Sequence, residues 1–391
     1  MRVMAEAPVV VTPKGEARIR RGHPWIFKSD VRRSEGAAPG ALVRVLGPEG
    51  RPLGWALHSS RSEIKLRMVE RGEALPADFL RARIAAALRF REEIAPGVTA
   101  LRLVHGEGDG LPSLIVDRYG DFLVVQTLSQ GMEARKDEVV RLLVELLAPR
   151  GILERNDPRV RALEGLEQRV GLLHGAVPDT VEVDQGGLRL SVDLWRGQKT
   201  GLFLDQRENH AMTESYARGR VLDVFTYHGA FALHAARAAT SVLATDVSED
   251  ALAHVAKDAA RNGITNVTTR EANAFDLLKA LDLSGERFDT VVLDPPAFAK
   301  SKDAIEKAGR GYKEINLRAL KLLRPGGILI TCSCSYHIHE SDFEDILEQA
   351  AADANATVTI VEKRRQGRDH PVLLGVPETY YLKCFVLRKA S

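Results

Sequence analysis

From residue 219 onward the chain repeats one unit, a short apolar run followed by a segment of helical period. GRVLDVF reads as a strand, HGAFALHAARAA as a helix and SVLATDVS as a strand, and EDALAHVAKDAARNG as a helix that stops at Gly263. NVTTREANAF and FDTVVLDPPAF supply two further strands around a helix near 275–280. A long helical stretch to Leu323 ends in RPGG, and GILITCSC, a helix near 341–351 and two terminal strand candidates follow. Alternation on this scale demands an open, doubly wound α/β sheet with helices on both faces.

The preceding chain obeys other rules. Residues 1–75 read as short β segments with turns rather than helices: GALVRVLG, PLGWALHS and EIKLRMVE are the strand candidates. Residues 76–180 read as a central α/β domain. A helix is expected over 78–95 and glycine-broken strands over 101–128; a second helix covers 132–147 and GILER has strand character. SVDLWRGQKTGLFLDQREN, at 191–209, reads as a strand, a Gly-bearing turn, another short strand and a polar helix start. The expected domains are thus 1–75, 76–180 and 181–391.

With 391 residues, 45% of them hydrophobic, the chain can build sizeable cores without disulfides or structural metal. Its three cysteines, Cys332, Cys334 and Cys384, form no disulfide framework and fit a reducing, cytoplasmic compartment. No run of about 18 apolar residues is present and the N-terminus lacks a signal-like pattern, so no membrane association is expected. Net charge is +2, but residues 1–75 hold 14 Lys and Arg against 8 Asp and Glu, a net of +6. Lys14, Arg18, Arg20 and Arg21 cluster there with His23, Trp25 and Phe27. Positive charge beside aromatic surface suits RNA, whereas an ordinary solvated face, with Trp25 and Phe27 as core anchors, is the competing reading.

Three strand ends carry candidate chemistry. In VLDVFTYHGAF the strand runs into a turn at Gly229, and Asp246 ends the next strand, well placed for a ribose diol. The full G-x-G-x-x-G is absent, which counts against a pyrophosphate cofactor and admits an adenosine ligand without phosphate, such as S-adenosylmethionine. In DPPAF, Asp294 closes an apolar strand and two prolines stiffen the turn after it, with Phe298 able to support a pocket. In TCSCS, strand alternation puts Cys332 and Cys334 on one face unless the strand has already ended. Their spacing does not suit zinc, which leaves inert packing or a thiolate nucleophile.

GxKTGLFLDQR, LDVFTYHGAF, LDPPAFAKSK, LRPGGILITCSCS and RDHPVLLGVPETYYLK together resemble, nearly end to end, the bacterial 23S ribosomal RNA 5-methylcytosine methyltransferases that carry an N-terminal PUA domain. The resemblance implies a small β-rich PUA domain, a central α/β domain and a Rossmann-like class I methyltransferase domain with a mostly parallel seven-stranded sheet. It implies S-adenosylmethionine as cofactor and 23S rRNA as partner; no protein partner is expected from the sequence, and a homodimer is left open. The family nucleophile falls on Cys334, although a Thr-Cys-Ser motif of other 5-methylcytosine enzymes would select Cys332. Phe225, Thr226 and Gly229 are implied as contacts of the cofactor loop, Asp246 of the ribose, and Asp294 of the gap between cofactor and base. Asn273 stands where an acidic residue is expected near adenine; its amide oxygen could receive the adenine amino group. Ala297 stands where many such enzymes have a second cysteine. The competing functions are an exocyclic-amine methyltransferase, a catalytically silent RNA-binding assembly factor and a nucleotide-dependent oxidoreductase.

Overall fold

The computed structural model describes residues 7–298 and 305–390, so the AKSK end of the LDPPAFAKSK motif lies outside the described residues. Two compact units emerge. One comprises the chain up to Val183 with Val192–Leu204 and Arg368–Thr379; the other comprises Asp184–Ser191, Asp205–Gly367 and the chain from Tyr380. Among the described residues, no helix is long and apolar enough to cross a membrane.

The first unit opens with β1 (Val9–Val11), α1 (Pro13–Arg20), β2 (Trp25–Phe27), β3 (Val31–Arg33), β4 (Leu42–Leu46), β5 (Pro52–His58) and β6 (Ile64–Arg71). The strands form one sheet in the order β2-β6-β5-β4-β1-β3. Helix α1 departs from the expectation of strands and turns alone. Its signals are local: Thr12 caps it, accepting the Gly15 N–H at 3.2 Å, and Pro13 sits at the first position, where a missing N–H costs nothing. Period-two alternation turns Ile26 inward to full burial and leaves Trp25 and Phe27 half-exposed, so Ile26 is the core anchor of β2.

The second sheet of this unit comprises β7 (Ala100–His105), β8 (Leu114–Tyr119), β9 (Phe122–Thr127), β10 (Gly151–Asn156) and β11 (Arg169–Gly175), ordered β11-β10-β9-β8-β7. Helices α2 (Phe79–Ile94) and α4 (Lys136–Leu147) pack on it, and α3 (Gln130–Glu133) and α5 (Val160–Leu163) are single turns. Leu57 and Val69 of the first sheet join Ile84, Leu114 and Val139 in one core. At the same junction Arg67 Nη2 donates to Glu164 at 2.8 Å and Ser59 Oγ donates to it at 2.6 Å, all three side chains buried. Burial pushes the Glu164 carboxyl up, but Arg67 and the serine donors hold it below the usual carboxylate range.

The expected short strand in GLFL is not a strand. Lys199 (φ 54°) and Gly201 (φ 140°) turn the backbone, and a Cβ on Gly201 would lie 2.6 Å from Val192. The Leu202 N–H binds Tyr119 Oη at 3.2 Å instead of a ladder, and a 3-10 turn over Leu204–Gln206 follows.

A hairpin of β12 (Val181–Gln185) and β13 (Leu188–Val192) precedes the second sheet-bearing unit. There the elements are α6 (Arg207–Tyr216), β14 (Arg220–Val224), α7 (Ala230–Ala236), β15 (Ser241–Asp246), α8 (Glu249–Arg261), β16 (Val267–Glu271), α9 (Ala274–Leu283), β17 (Phe288–Leu293), α10 (Ile305–Leu322), β18 (Leu323–Ser333), α11 (Glu340–Asp353), β19 (Val358–Arg365) and β20 (Lys383–Lys389). The seven strands run β16-β15-β14-β17-β18-β20-β19, parallel except for β20, which is antiparallel to both neighbours. The order reverses direction at β14, between β15 and β17. In doubly wound sheets ligands bind at that switch point, beyond the carboxyl ends of the strands.

Removing one member of a buried ion pair strands the other charge, so Arg67→Met is predicted to lose about 3–5 kcal/mol of stability in chemical denaturation, and Arg67→Lys less.

Candidate active site

The chain leaves β14 through three residues with left-handed backbone: Phe225 (φ 66°), Tyr227 (φ 49°) and Gly229 (φ 81°). A bulky residue at positive φ is strained, and such strain gathers at functional loops. Gly229 is required twice over, since a Cβ there would also lie 2.8 Å from Val255 of α8. The loop is pinned by hydrogen bonds to acids at two strand ends. Thr226 Oγ1 donates to Asp223 Oδ2 at 2.6 Å; the backbone N–H groups of Tyr227 and Ser248 donate to the two oxygens of Asp246 at 2.9 and 3.0 Å.

Asp223 carries no signal in the sequence, where it reads as the last polar residue of an apolar strand. It is fully buried, and its Oδ1 has no hydrogen-bond partner among the described residues. Burial raises its carboxyl to about 7; the Thr226 hydroxyl opposes the shift, and the neighbouring Asp294 and Asp246 add to it.

Beside this loop lies a cavity of about 140 Å³ lined by Val224, Phe225, Thr245, Asp246, Val247, Ala272, Asn273, Ala274, Phe275 and Pro296. Phe225, Asp246 and Asn273 of the expected cofactor set therefore meet on one cavity, whereas Thr226 and Gly229 shape its loop from behind. Asn273 needs a correction. Its Oδ1 caps α9, accepting the N–H groups of Phe275 at 3.0 Å and Asp276 at 3.4 Å, so that oxygen is committed to the helix and not to a ligand amine. Phe298 packs its ring 4.7 Å from Tyr312 and 6.4 Å from Phe225, supporting the wall between the two loops.

Asp294, just past β17, is held by a polar chain from α6 and β19. Arg364 Nε donates to Asn209 Oδ1 at 2.8 Å, Asn209 Nδ2 donates to Gln206 Oε1 at 2.6 Å, and Gln206 Nε2 donates to Asp294 Oδ1 at 2.9 Å. A guanidinium can only donate, which fixes the orientation of both amides in turn. The LDQREN run thus places Gln206 and Asn209, both buried, as the orienting arm of this carboxylate.

The two candidate thiols part company at the end of β18. Cys332 lies within the strand, fully buried opposite Cys384 and packed with Phe231, Val292 and Ile330. Burial drives its thiol well above the ordinary value, with Cys384 and Asp294 adding to the shift. The strand ends at Ser333, so Cys334 escapes the alternation. It is half-buried, and its Sγ donates to the Pro295 carbonyl at 3.8 Å, next to Asp294. The four basic residues of the first unit lie far from this in sequence and are partly engaged locally. Asp30 takes Arg18 at 3.2 Å and Lys14 at 3.6 Å, Glu16 takes Arg20 at 2.6 Å, and Arg21 is exposed.

The sheet order and its strand-end loops define a class I S-adenosylmethionine-dependent methyltransferase. A family model described as S-adenosylmethionine-dependent methyltransferase matches residues 102–377, and one described as PUA-like domain matches 9–71. A protein from Shewanella denitrificans named Ribosomal RNA large subunit methyltransferase I is 40% identical over 391 residues, covering 97% of this chain and 98% of its own. A Vibrio cholerae protein of the same name is 39% identical over 393 residues, covering 97% and 99%. A protein solved in complex with SAH shares the fold at a TM-score of 0.84 and 21% identity, over 97% of this chain and 99% of its own. The chain belongs to the ribosomal RNA large subunit methyltransferase I family.

The site fits the cofactor of this class. S-adenosylmethionine carries a sulfonium and an ammonium, and the strand ends offer Asp223, Asp246 and Asp294 with the buried Asp223 Oδ1 unsatisfied. A cationic ligand favours the ionised form of Asp223, so its affinity is predicted to rise with pH through about 7 and then level off. Calorimetry should show proton release on binding near that pH. Asp223→Asn should abolish the release and flatten the profile.

Proposed function

We propose that this protein methylates C5 of a cytosine in large-subunit (23S) ribosomal RNA through a covalent adduct between Cys334 and C6 of the base. The observation that carries this reading is the end of β18 at Ser333, which seats a half-buried thiol against the Asp-Pro-Pro turn while Cys332 is sealed in the core. The relatives' name supplies the substrate class.

C5 of cytosine is a poor nucleophile. Addition of the Cys334 thiolate forms an S–C6 bond and pushes electron density toward C5. Asp294, steadied by Gln206, is suited to hydrogen-bond the N3 and amino edge and to deliver a proton to N3 as charge builds there. Bound S-adenosylmethionine supplies the electrophilic methyl group that C5 accepts. Loss of the C5 proton, return of the N3 proton to Asp294 and breakage of the S–C6 bond then restore the aromatic ring, the acid and the thiolate. Ala297 cannot provide a second thiol for that release. The base must leave its stack to reach Cys334.

On the cofactor side, Asp246 is assigned to the ribose diol, Phe225 and the Thr226–Gly229 loop to the methionine end, and Asn273 to the adenine edge through its amide nitrogen. The three-module division at 1–75, 76–180 and 181–391 gives the first module the task of recruiting RNA. Arg21, together with Arg20 and the more loosely paired Lys14, is assigned to phosphates; Arg18, which lies over Phe27 at 4.8 Å and on Asp30, is the least available of the four. A ribosomal RNA substrate places the work in the cytoplasm.

Cys334→Ala should abolish methyl transfer with cofactor binding retained, whereas Cys332→Ala should lower activity only modestly through packing. RNA carrying 5-fluorocytosine at the target should trap an adduct on the peptide containing Cys334, because fluorine at C5 blocks the proton loss needed for release. Attachment at Cys332 would reverse the assignment; full activity without either thiol would promote exocyclic-amine methylation. In the first module, Arg20→Glu with Arg21→Glu should weaken RNA binding across sequences and reduce its salt slope by about 1 for each phosphate no longer neutralised, with cofactor affinity unchanged.

A further inference from the structure

Lys383, the first residue of β20, lies opposite Ser333 in the β18–β20 ladder and is 2% exposed. Its ammonium donates to three backbone carbonyls, Ser335 at 2.8 Å, Ile338 at 2.7 Å and Tyr381 at 2.9 Å. These acceptors satisfy every N–H of the group, yet all three are neutral, so the positive charge itself is uncompensated by them. The backbone of Lys383 pairs with the residue before Cys334, and its side chain holds the carbonyl of the residue after it. The clamp therefore brackets the thiol assigned above as nucleophile.

Among the described residues, the charged and titratable groups near this pair include Asp294, which adjoins the Pro295 that Cys334 contacts and whose negative charge opposes the thiolate, and others from β18, α11, β19 and α10. Cys334 acts on Lys383 from the end of β18, and Asp342 and Glu340 act on it from the start of α11. Both acids have other partners: Asp342 accepts the His339 N–H at 2.8 Å, and Glu340 accepts Tyr380 Oη and lies 3.4 Å from Lys363 of β19. Tyr312 of α10 also faces Cys334; burial pushes its phenol up to about 12, so it stays neutral beside Ser335, whose Oγ is 2.9 Å away. Burial pulls the Lys383 ammonium down to about 8, and an ionised Cys334 raises it again. Attraction between two titrating groups is reciprocal, so what the thiolate does for the ammonium, the ammonium does for the thiolate.

We propose that Lys383 is a positioning residue for methyl transfer, fixing the segment that carries Cys334 and supplying the buried positive charge that favours its thiolate. A clamp on three neutral carbonyls needs donors but no charge. A cation buried one residue to either side of a thiol gains its natural counterion when that thiol ionises. The inference rests on Cys334 being the nucleophile.

The test is the pH dependence of Cys334 alkylation by iodoacetamide in the full chain, read by peptide mass spectrometry, with buried Cys332 and Cys384 as internal controls. Against the wild type, Lys383→Met should raise the midpoint by about one pH unit and slow alkylation at neutral pH about tenfold, whereas Lys383→Arg should keep both near wild type. S-adenosylmethionine affinity should stay within about twofold, and kcat, rather than KM for RNA, should fall with the alkylation rate. An unmoved midpoint in a Lys383→Met protein that still binds cofactor overturns the proposal. If that variant fails to fold, the reciprocal measurement decides: Nζ titration by NMR should show a lower Lys383 pKa in Cys334→Ala than in wild type, and equal values overturn it. A 5-fluorocytosine adduct located on another residue would overturn the nucleophile assignment and with it the role of Lys383 in methyl transfer, whereas an unmoved alkylation midpoint with the adduct on Cys334 would overturn the Lys383 proposal alone.

Discussion

The reversal of strand order at β14 sets where this protein can do chemistry. Parallel strands on either side of it deliver their carboxyl ends to one edge, and their connections must leave in opposite directions, which opens a crevice there. Loops from β14, β15, β17 and β18 reach that edge within a few residues of their strands, so their functional groups inherit the rigidity of the sheet. Asp223, Asp246, Asp294 and Cys334 are each the last residue of a strand, one from its end, or the first beyond it.

Crowding three carboxylates at one edge is an electrostatic liability that each resolves differently. Asp246 is spread over two backbone N–H donors, and Asp294 receives the polarised amide of Gln206. Asp223 is fully buried, and the Thr226 hydroxyl and the Ala232 backbone N–H do not offset that burial, so its carboxyl rises. The least satisfied acid is therefore also the most buried, an arrangement that disfavours an anionic ligand and suits a cationic one. On the far side of the Asp-Pro-Pro turn Cys334 also interacts with a buried ammonium, that of Lys383.

The architecture of the second unit was legible because its code is periodic. Seven apolar runs spaced by helical segments leave few alternatives, and the strand ends carried their acids and thiols in plain view. The parts that escaped are set by hydrogen bonds without a period. Helix α1 rests on Thr12 and Pro13, two residues inside a stretch otherwise typical of strands, and GLFL fails as a strand because Lys199 and Gly201 turn the chain. The Asn273 oxygen reads as an acceptor for a ligand until it is found on the N-terminus of α9, which leaves the amide nitrogen for that task. Asp223 and the Arg364–Asn209–Gln206 chain have no recognisable spacing, since their partners come from distant segments. Charge counting had the same blindness: the excess of +6 in residues 1–75 says nothing of Asp30, one buried acid that takes up both Lys14 and Arg18.

The distinction between the two thiols shows how fine the controlling detail is. Alternation gives Cys332 and Cys334 the same face for as long as the strand continues, and on that basis either could be core or nucleophile. β20 runs antiparallel to β18, and the pairing closes at Ser333 opposite Lys383. One residue of further pairing would carry Cys334 toward the same apolar layer as Cys332, where burial opposes ionisation. Ending there instead turns the chain so that the Ser335 carbonyl meets the lysine, the Ser335 hydroxyl meets Tyr312, and the thiol is left against Pro295. The point at which a strand stops thus converts one of two chemically identical side chains into a candidate for catalysis, and the residue that closes the ladder is the one whose charge can serve it.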